Sequence, residues 1–193
     1  MRRRNLAVVT ARALMLFVGA GLCFSPAVAS SHRSQTVHDF EVRVAKYLDL
    51  RQHQAGSAPR PTNNLEKLAD TQQTLAVKVS VLRQDAKQGD IFTPEIAAYF
   101  RHQIAATLKG RHGHTTWASL RHAEPVPALA LRVNQVYPQG VPLQSTPPTL
   151  LLNLPPLPKE LEYRIVGRNL VLHDTVPNIV VDFIPDAIPS AED

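Results

Sequence analysis

Four histidines form the main concentration of potential metal ligands in this sequence. His102, His112, His114 and His122 lie within 21 residues of one another. Imidazole nitrogens suit nickel, copper and zinc, and two histidines separated by one residue can chelate a single ion. His112 and His114 would be the first two ligands, with His102 and His122 completing the site. One hypothesis is therefore a periplasmic metal-handling protein that uses this cluster.

The histidines can also be interpreted as residues that bind no metal, because the tract lacks the acidic side chains that usually support a metal site. No aspartate or glutamate lies between residues 96 and 123. A carboxylate commonly supplies a further ligand or orients a ligating imidazole. Neighbouring arginines also repel a cation. The alternative is that these histidines lie in a solvated loop and at helix ends.

The same tract is basic, which favours an anionic ligand or partner instead. Arg101, Lys109, Arg111 and Arg121 surround the single tryptophan, Trp117. Clustered positive charge beside an aromatic ring suits lipid phosphate, lipopolysaccharide or another acidic envelope polymer. Two alternatives remain: a solvated basic face, or docking on residues 133–193, which carry three bases and seven acids.

The first 29 residues have the pattern of a secretory signal peptide. Arg2, Arg3 and Arg4 precede a mostly apolar stretch over residues 6–18, and the small residues at 27–29 predict cleavage near Ala29. The apolar stretch is too short for a convincing membrane span, so we expect no transmembrane segment in the mature chain. These features predict a periplasmic or secreted protein.

Removal of this segment would change the net charge and the cysteine content of the chain. Residues 1–29 hold four of the 21 bases and no acid, so residues 30–193 have 17 bases against 16 acids. A net charge of +1 disfavours nucleic-acid binding as a function. Cys23, the only cysteine, lies in the removed segment. The mature domain would therefore have no disulfide and no thiolate chemistry.

The region 36–123 is predicted to be helical. Apolar spacing indicates a first helix over residues 37–54 and a second that begins after Thr62 or Asn63. The second carries a heptad seam over residues 65–86, which would pack on the first helix as a hairpin or form a homodimer. Thr93, Pro94 and Glu95 predict the start of a third helix over residues 94–109, ended by Gly110. A short fourth helix is predicted over residues 115–122.

The C-terminal part changes from helix to proline-rich chain and then to strands. Residues 124–158 form a proline-rich linker, expected to lie extended against the helices and to deliver residues 150–152 to the core. Residues 159–189 read as a three-stranded antiparallel meander with strands at 161–166, 169–173 and 178–184. Its predicted core residues are Tyr163, Ile165, Leu170, Leu172, Ile179, Val181 and Phe183. Asp174 is predicted to close an Asx turn before Pro177.

This ending resembles that of several small exported bacterial proteins, most of them uncharacterised. The resemblance rests on Pro155-Pro156-Leu157-Pro158, followed by Tyr163-Arg164-x-Val166-Gly167 and Leu170-x-Leu172. It covers about 35 residues, and RcnB-like periplasmic proteins, linked to nickel and cobalt homeostasis, end in a similar way. It implies an envelope protein with a β-meander.

The sequence as a whole predicts one α+β domain over residues 30–193. Motifs for a nucleophilic serine, a zinc protease, a phosphate loop and a dinucleotide site are absent from it. We therefore expect no enzyme and no cofactor, but an exported binding or scaffold module. Its partner would be an envelope protein or acidic polymer, bound by the basic tract or by the edge strand of the meander.

Overall fold

The structure is a computed structural model that describes residues 26–53, 63–121, 129–138, 141 and 144–190. Within these ranges the chain is α+β, as predicted, with five helices and four strands. The helices are α1 (Pro26–His53), α2 (Leu65–Leu82), α3 (Pro94–Lys109), α4 (Gly113–Arg121) and α5 (Pro148–Leu151). The strands are β1 (Gln144–Ser145), β2 (Leu161–Val166), β3 (Asn169–Asp174) and β4 (Ile179–Ile184).

The sheet is antiparallel and has the order β1-β2-β3-β4. The three predicted strands are present as β2, β3 and β4, nearly at the expected bounds. The prediction of a three-stranded sheet was one strand short, because β1 pairs Gln144 with Ile165 and Ser145 with Arg164. A two-residue strand in a proline-rich stretch is too short to leave a periodic pattern in the sequence. Gly167, with φ of +62°, permits the tight turn between β2 and β3.

Local signals placed α2, α3 and α4 well, but α1 begins at Pro26, eleven residues before the predicted start at residue 37. The packing partners of the helices were also predicted less well. Thr93 caps α3 through a bond from the N–H of Ile96, and Gly110 ends that helix, both as predicted. Asn64, the residue after the two predicted candidates, caps α2. The predicted α1–α2 hairpin is not confirmed, since α1 packs principally against α3. The seam of α2 is buried only at its centre, because Leu75 and Val79 are buried whereas Leu65 is 81% exposed.

The main core lies between the helices and one face of the sheet. Its centre is an aromatic cluster in which Phe40 of α1 lies 5.1 Å from Phe100 of α3 and 6.5 Å from Tyr163 of β2, measured between ring centroids. Six of the seven predicted meander core residues belong to the main core. Aromatic rings bury large apolar areas and gain further from edge-to-face contact, so this cluster joins the helical layer to the sheet.

The first part of the proline-rich linker covers the opposite face of the sheet, where it was not predicted to lie, whereas its later part contacts the helices as predicted, through α5 and α3. Tyr137 packs there with Val171 and Val180, joined by Leu129, Leu131, Val141 and Phe183 at the margin. Only Leu150 of the predicted trio 150–152 is buried, and Leu152 is 85% exposed. The part of the linker that contains Tyr137 therefore forms a second layer over a sheet face that would otherwise expose apolar side chains.

A β-bulge explains why Phe183 lies on this second face rather than in the main core. Leu172 pairs with Asp182, and His173 pairs with Val180, so Val181 is an extra residue in β4. The bulge shifts the alternation by one position. Val181 and Asp182 consequently both face the helices, and Phe183 faces the other way.

The predicted signal peptide is described only from Pro26 onward, and the expected cleavage site at Ala29 falls in the first turn of α1. Residues 1–25, which hold the arginines, the apolar stretch and Cys23, lie outside the described residues. Within the described part of the chain, none of the helices has the length and apolar character needed to cross a membrane.

Candidate functional site

A cavity of about 360 Å³ lies where α3, α4 and the C-terminal chain meet. From α3 it receives Ala105, Leu108 and Lys109, whose spacing places them on one helical face. From α4 and the C-terminal chain it receives His114, Trp117, Arg121, Pro189 and Ser190. The cavity thus has an apolar floor and a rim that carries two permanent positive charges and an imidazole.

The start of α4 is held tightly against the end of α3. The N–H of Gly113 donates to the carbonyl of Gly110 at 2.9 Å. A Cβ at Gly113 would lie only 1.9 Å from the carbonyl oxygen of Leu108, so only glycine fits there. This contact fixes the angle between the two helices that line the cavity.

A second set of contacts anchors the other side of α4. The hydroxyl of Thr116, which is buried, lies 2.9 Å from the carbonyl of His112 and 2.7 Å from the hydroxyl of Thr149 in α5. The side-chain amide of Gln144 donates to the carbonyl of Leu120 at 3.2 Å. Helix α4 is therefore positioned by α3, α5 and the edge strand together.

Three of the five residues predicted to bind an anion line this cavity, namely Lys109, Trp117 and Arg121. The other two, Arg101 and Arg111, do not line the cavity. The guanidinium of Arg101 donates to the carbonyl of Pro185 at 2.9 Å, and Arg111 is exposed between α3 and α4. The residues that line the cavity in the described part of the chain include no aspartate or glutamate.

The predicted histidine ligands are not gathered in the same way. His102, on α3, and His112 and His114, at the start of α4, are all exposed, and only His114 lines the cavity. His122 lies outside the described residues. Across the described ranges, no group of three or more histidine, cysteine or acidic side chains is placed to hold a metal ion. Metal handling stays a prediction.

The edge of the sheet was the other predicted partner site. Along β4, however, the N–H of Val180 already donates to the carbonyl of Gln135, and its carbonyl accepts from the N–H of Asn134. Arg83 donates to the carbonyl of Val181 at 3.1 Å. Since strand addition needs free main-chain groups, these bonds disfavour peptide docking along this edge.

Sequence reasoning missed a set of buried charged groups under the sheet. Arg51, Asp174 and Asp182 are each at most 1% exposed. Asp174 accepts from the phenol of Tyr47 at 2.6 Å, and its carboxylate lies 3.0 Å from Nε of Arg51. The Asx turn at Asp174 is confirmed by the N–H of Val176, which donates to it at 3.0 Å. These groups are enclosed, so they join layers of the fold and cannot meet a ligand.

Comparison with known proteins adds no evidence on function, which therefore has to be inferred from the structural features above. Neither the protein-family models, nor the curated proteins, nor the solved structures contain a match to this chain.

Proposed function

We propose that this chain is an exported, non-enzymatic binding module whose cavity between α3 and α4 takes an anionic amphiphile. The ligand would have a compact apolar body and a phosphate or carboxylate group, the chemistry found in acidic envelope lipids. The observation that carries the proposal is that Lys109, Trp117 and Arg121 line one cavity of about 360 Å³.

The cavity supports this ligand class by its size and chemistry. Its volume lies at the lower end of the range for small-molecule sites, roughly 300–1,000 Å³. Leu108 and Trp117 offer an apolar surface, and Lys109 and Arg121 offer charge-assisted hydrogen bonds to an anion. Neither of these two bases forms an ion pair with another described side chain.

Trp117 gives a direct test, because it is the only tryptophan in the chain and it lines the cavity. We expect dodecyl phosphate, below its micelle concentration, to shift the tryptophan emission to shorter wavelength with saturable binding. Dodecyltrimethylammonium has the same tail and the opposite charge, and we expect no saturable shift with it. Equal binding of the two amphiphiles would contradict the proposal.

Substitutions then separate the cavity from the rest of the basic tract. Lys109→Gln together with Arg121→Gln should weaken dodecyl phosphate binding about five- to thirtyfold, since about 1–2 kcal/mol of charge-assisted bonding is lost. Arg111→Gln removes a charge from the same tract outside the cavity and is the matched control. A loss of affinity as large in Arg111→Gln would show general attraction to a basic surface instead of a site.

A further inference from the structure

A second groove, of about 580 Å³, lies between α1 and the proline ridge, by which we mean Pro156, Leu157 and Pro158. The floor of the groove is apolar and comes from α1, with Phe40, Val44 and Leu48. These three residues are buried and belong to the main core, so the floor is rigid. The residues that line this groove are distant in sequence from those that line the cavity between α3 and α4, and the two sites carry charges of opposite sign.

The rim of this groove is acidic. Glu41 and Asp49 both line it and both are exposed, and no lysine or arginine is among the described residues that line it. The side chain of Asp49 is 72% exposed and lies 2.9 Å from His53. Glu41 and Asp49 are eight residues apart on one helix, which sets them about 12 Å apart along its axis. A partner that fits must therefore carry two positive charges at that spacing with an apolar group between them.

We infer that the groove binds an extended peptide segment in which two basic side chains flank one apolar side chain at alternate positions. In an extended chain, residues i, i+2 and i+4 point to the same face, and i to i+4 spans about 13 Å. The two basic side chains would then meet Glu41 and Asp49 while the central apolar side chain enters between Val44 and Leu48.

An extended ligand spans the two carboxylates with fewer residues than a helical one. Five extended residues cover about 13 Å, whereas a helix needs about nine residues for about 12 Å. The outer wall is the proline ridge, which is neither helix nor strand, and its prolines at 156 and 158 have no N–H group to donate to a ligand, so binding there depends on side chains.

The direct test uses a short peptide, acetyl-Gly-Lys-Ala-Leu-Ala-Lys-Gly-amide, added to the ¹⁵N-labelled protein. We expect saturable amide shifts along the stripe of α1 that lines the groove, at Glu41, Ala45, Leu48 and Gln52. Two control peptides are expected to leave this stripe unchanged: one with both lysines replaced by glutamate, and one with the second lysine moved back one position onto the other face. An absence of shifts at millimolar peptide, or equal shifts with either control, would overturn the inference.

Variants of the protein locate the contact. Glu41→Gln with Asp49→Asn should weaken the lysine peptide about three- to tenfold, as expected for two exposed charge pairs. Glu66→Gln, an exposed acid on α2, is the matched control and should leave the affinity unchanged. Ala45→Arg, at an exposed helical position, should abolish binding by filling the groove with a cation, while the rest of the amide spectrum shows that the fold is kept. Unchanged affinity in Ala45→Arg would place the peptide elsewhere.

Discussion

The phenol of Tyr47 donates a 2.6 Å hydrogen bond to the carboxylate of Asp174, joining the first helix to the third strand across 127 residues. Arg51, one turn further along α1, lies 3.0 Å from the same carboxylate. Burial, together with the charge and hydrogen bond of Asp174, raises the pKa of Tyr47 well above its ordinary value. Tyr47 therefore stays protonated as a donor, and Asp174 is the point at which helix and sheet are held in register.

Asp174→Ala should lower the free energy of unfolding by about 3–5 kcal/mol, because Arg51 would be left buried without its counter-charge. Urea unfolding followed by circular dichroism measures the change. Asp39→Ala is the matched control: the side chain of Asp39 is 42% exposed and lies 3.1 Å from Arg43 on the surface of α1, so its loss should cost less than about 1 kcal/mol. Equal losses in the two variants would contradict a structural role for the buried pair.

Features encoded by neighbouring residues could be predicted from the sequence. The bounds of α3 follow from a capping threonine, a proline at the first helical position and a terminal glycine, and the structure agrees at both ends. The strands β2, β3 and β4 follow from alternating apolar residues between turn signals. The sequence also grouped Lys109, Trp117 and Arg121 in one basic tract, because they lie close together along the chain on the two consecutive helices α3 and α4.

Features that depend on distant contacts could not be predicted. The covering of the second sheet face by residues 129–138 and Val141 needs pairing across more than forty residues, and this proline-containing stretch has no periodic pattern. The bulge at Val181 is likewise set by the partner strand, so the alternation in β4 wrongly assigned Phe183 to the main core. Pro189 and Ser190 reach the cavity only once the C-terminal chain returns to α3.

Asp182 is the residue whose role depends most on that bulge. Its carboxylate accepts the main-chain N–H groups of Gly89 at 3.0 Å and of Ile91 and Phe92 at 2.8 Å. Asp182→Asn should lower the free energy of unfolding by about 2–4 kcal/mol, since an amide nitrogen would replace an oxygen that faces donors. Hydrogen exchange at Ile91 and Phe92 should accelerate as well.

The control for this prediction is Asp85→Asn, which removes an exposed acid after the end of α2. We expect neither its unfolding free energy nor the exchange at Ile91 and Phe92 to change by much. Unchanged exchange at these two amides in Asp182→Asn would show that the carboxylate does not hold the loop.

Glu162 should give the protein a measurable pH dependence. Burial would raise its pKa, but hydrogen bonds from Arg164 and His173 outweigh burial and hold the pKa below its ordinary value of 4.5. A carboxyl whose pKa is lowered on folding stabilises the fold above its unfolded pKa, and this stability is lost as the pH falls. Comparison with Glu162→Gln, measured by urea unfolding, should therefore show a difference that is full above about pH 4.5 and shrinks below it.

The matched variant is Arg164→Gln, because Nε of Arg164 lies 2.6 Å from the Glu162 carboxylate. Loss of this partner should reduce the same pH trend while the bond from His173 at 2.9 Å remains. A difference between the wild-type protein and Glu162→Gln that grows as the pH falls would refute the assigned direction of the pKa shift.

Gly113→Ala should damage both the stability of the fold and the cavity between α3 and α4. The added Cβ would lie 1.9 Å from the carbonyl oxygen of Leu108 and 2.7 Å from its carbonyl carbon, so the main chain must move. We expect a loss of about 1–3 kcal/mol in the free energy of unfolding. Weaker binding of dodecyl phosphate, followed by the emission of Trp117, should accompany it because α4 contributes His114, Trp117 and Arg121 to the cavity wall. Gly110→Ala is the control, with contacts of 3.3 Å to the carbonyls of Ala106 and Thr107 that small adjustments can relieve. If Gly110→Ala weakened binding as much as Gly113→Ala, the close approach of Gly113 to Leu108 would not be what positions the cavity.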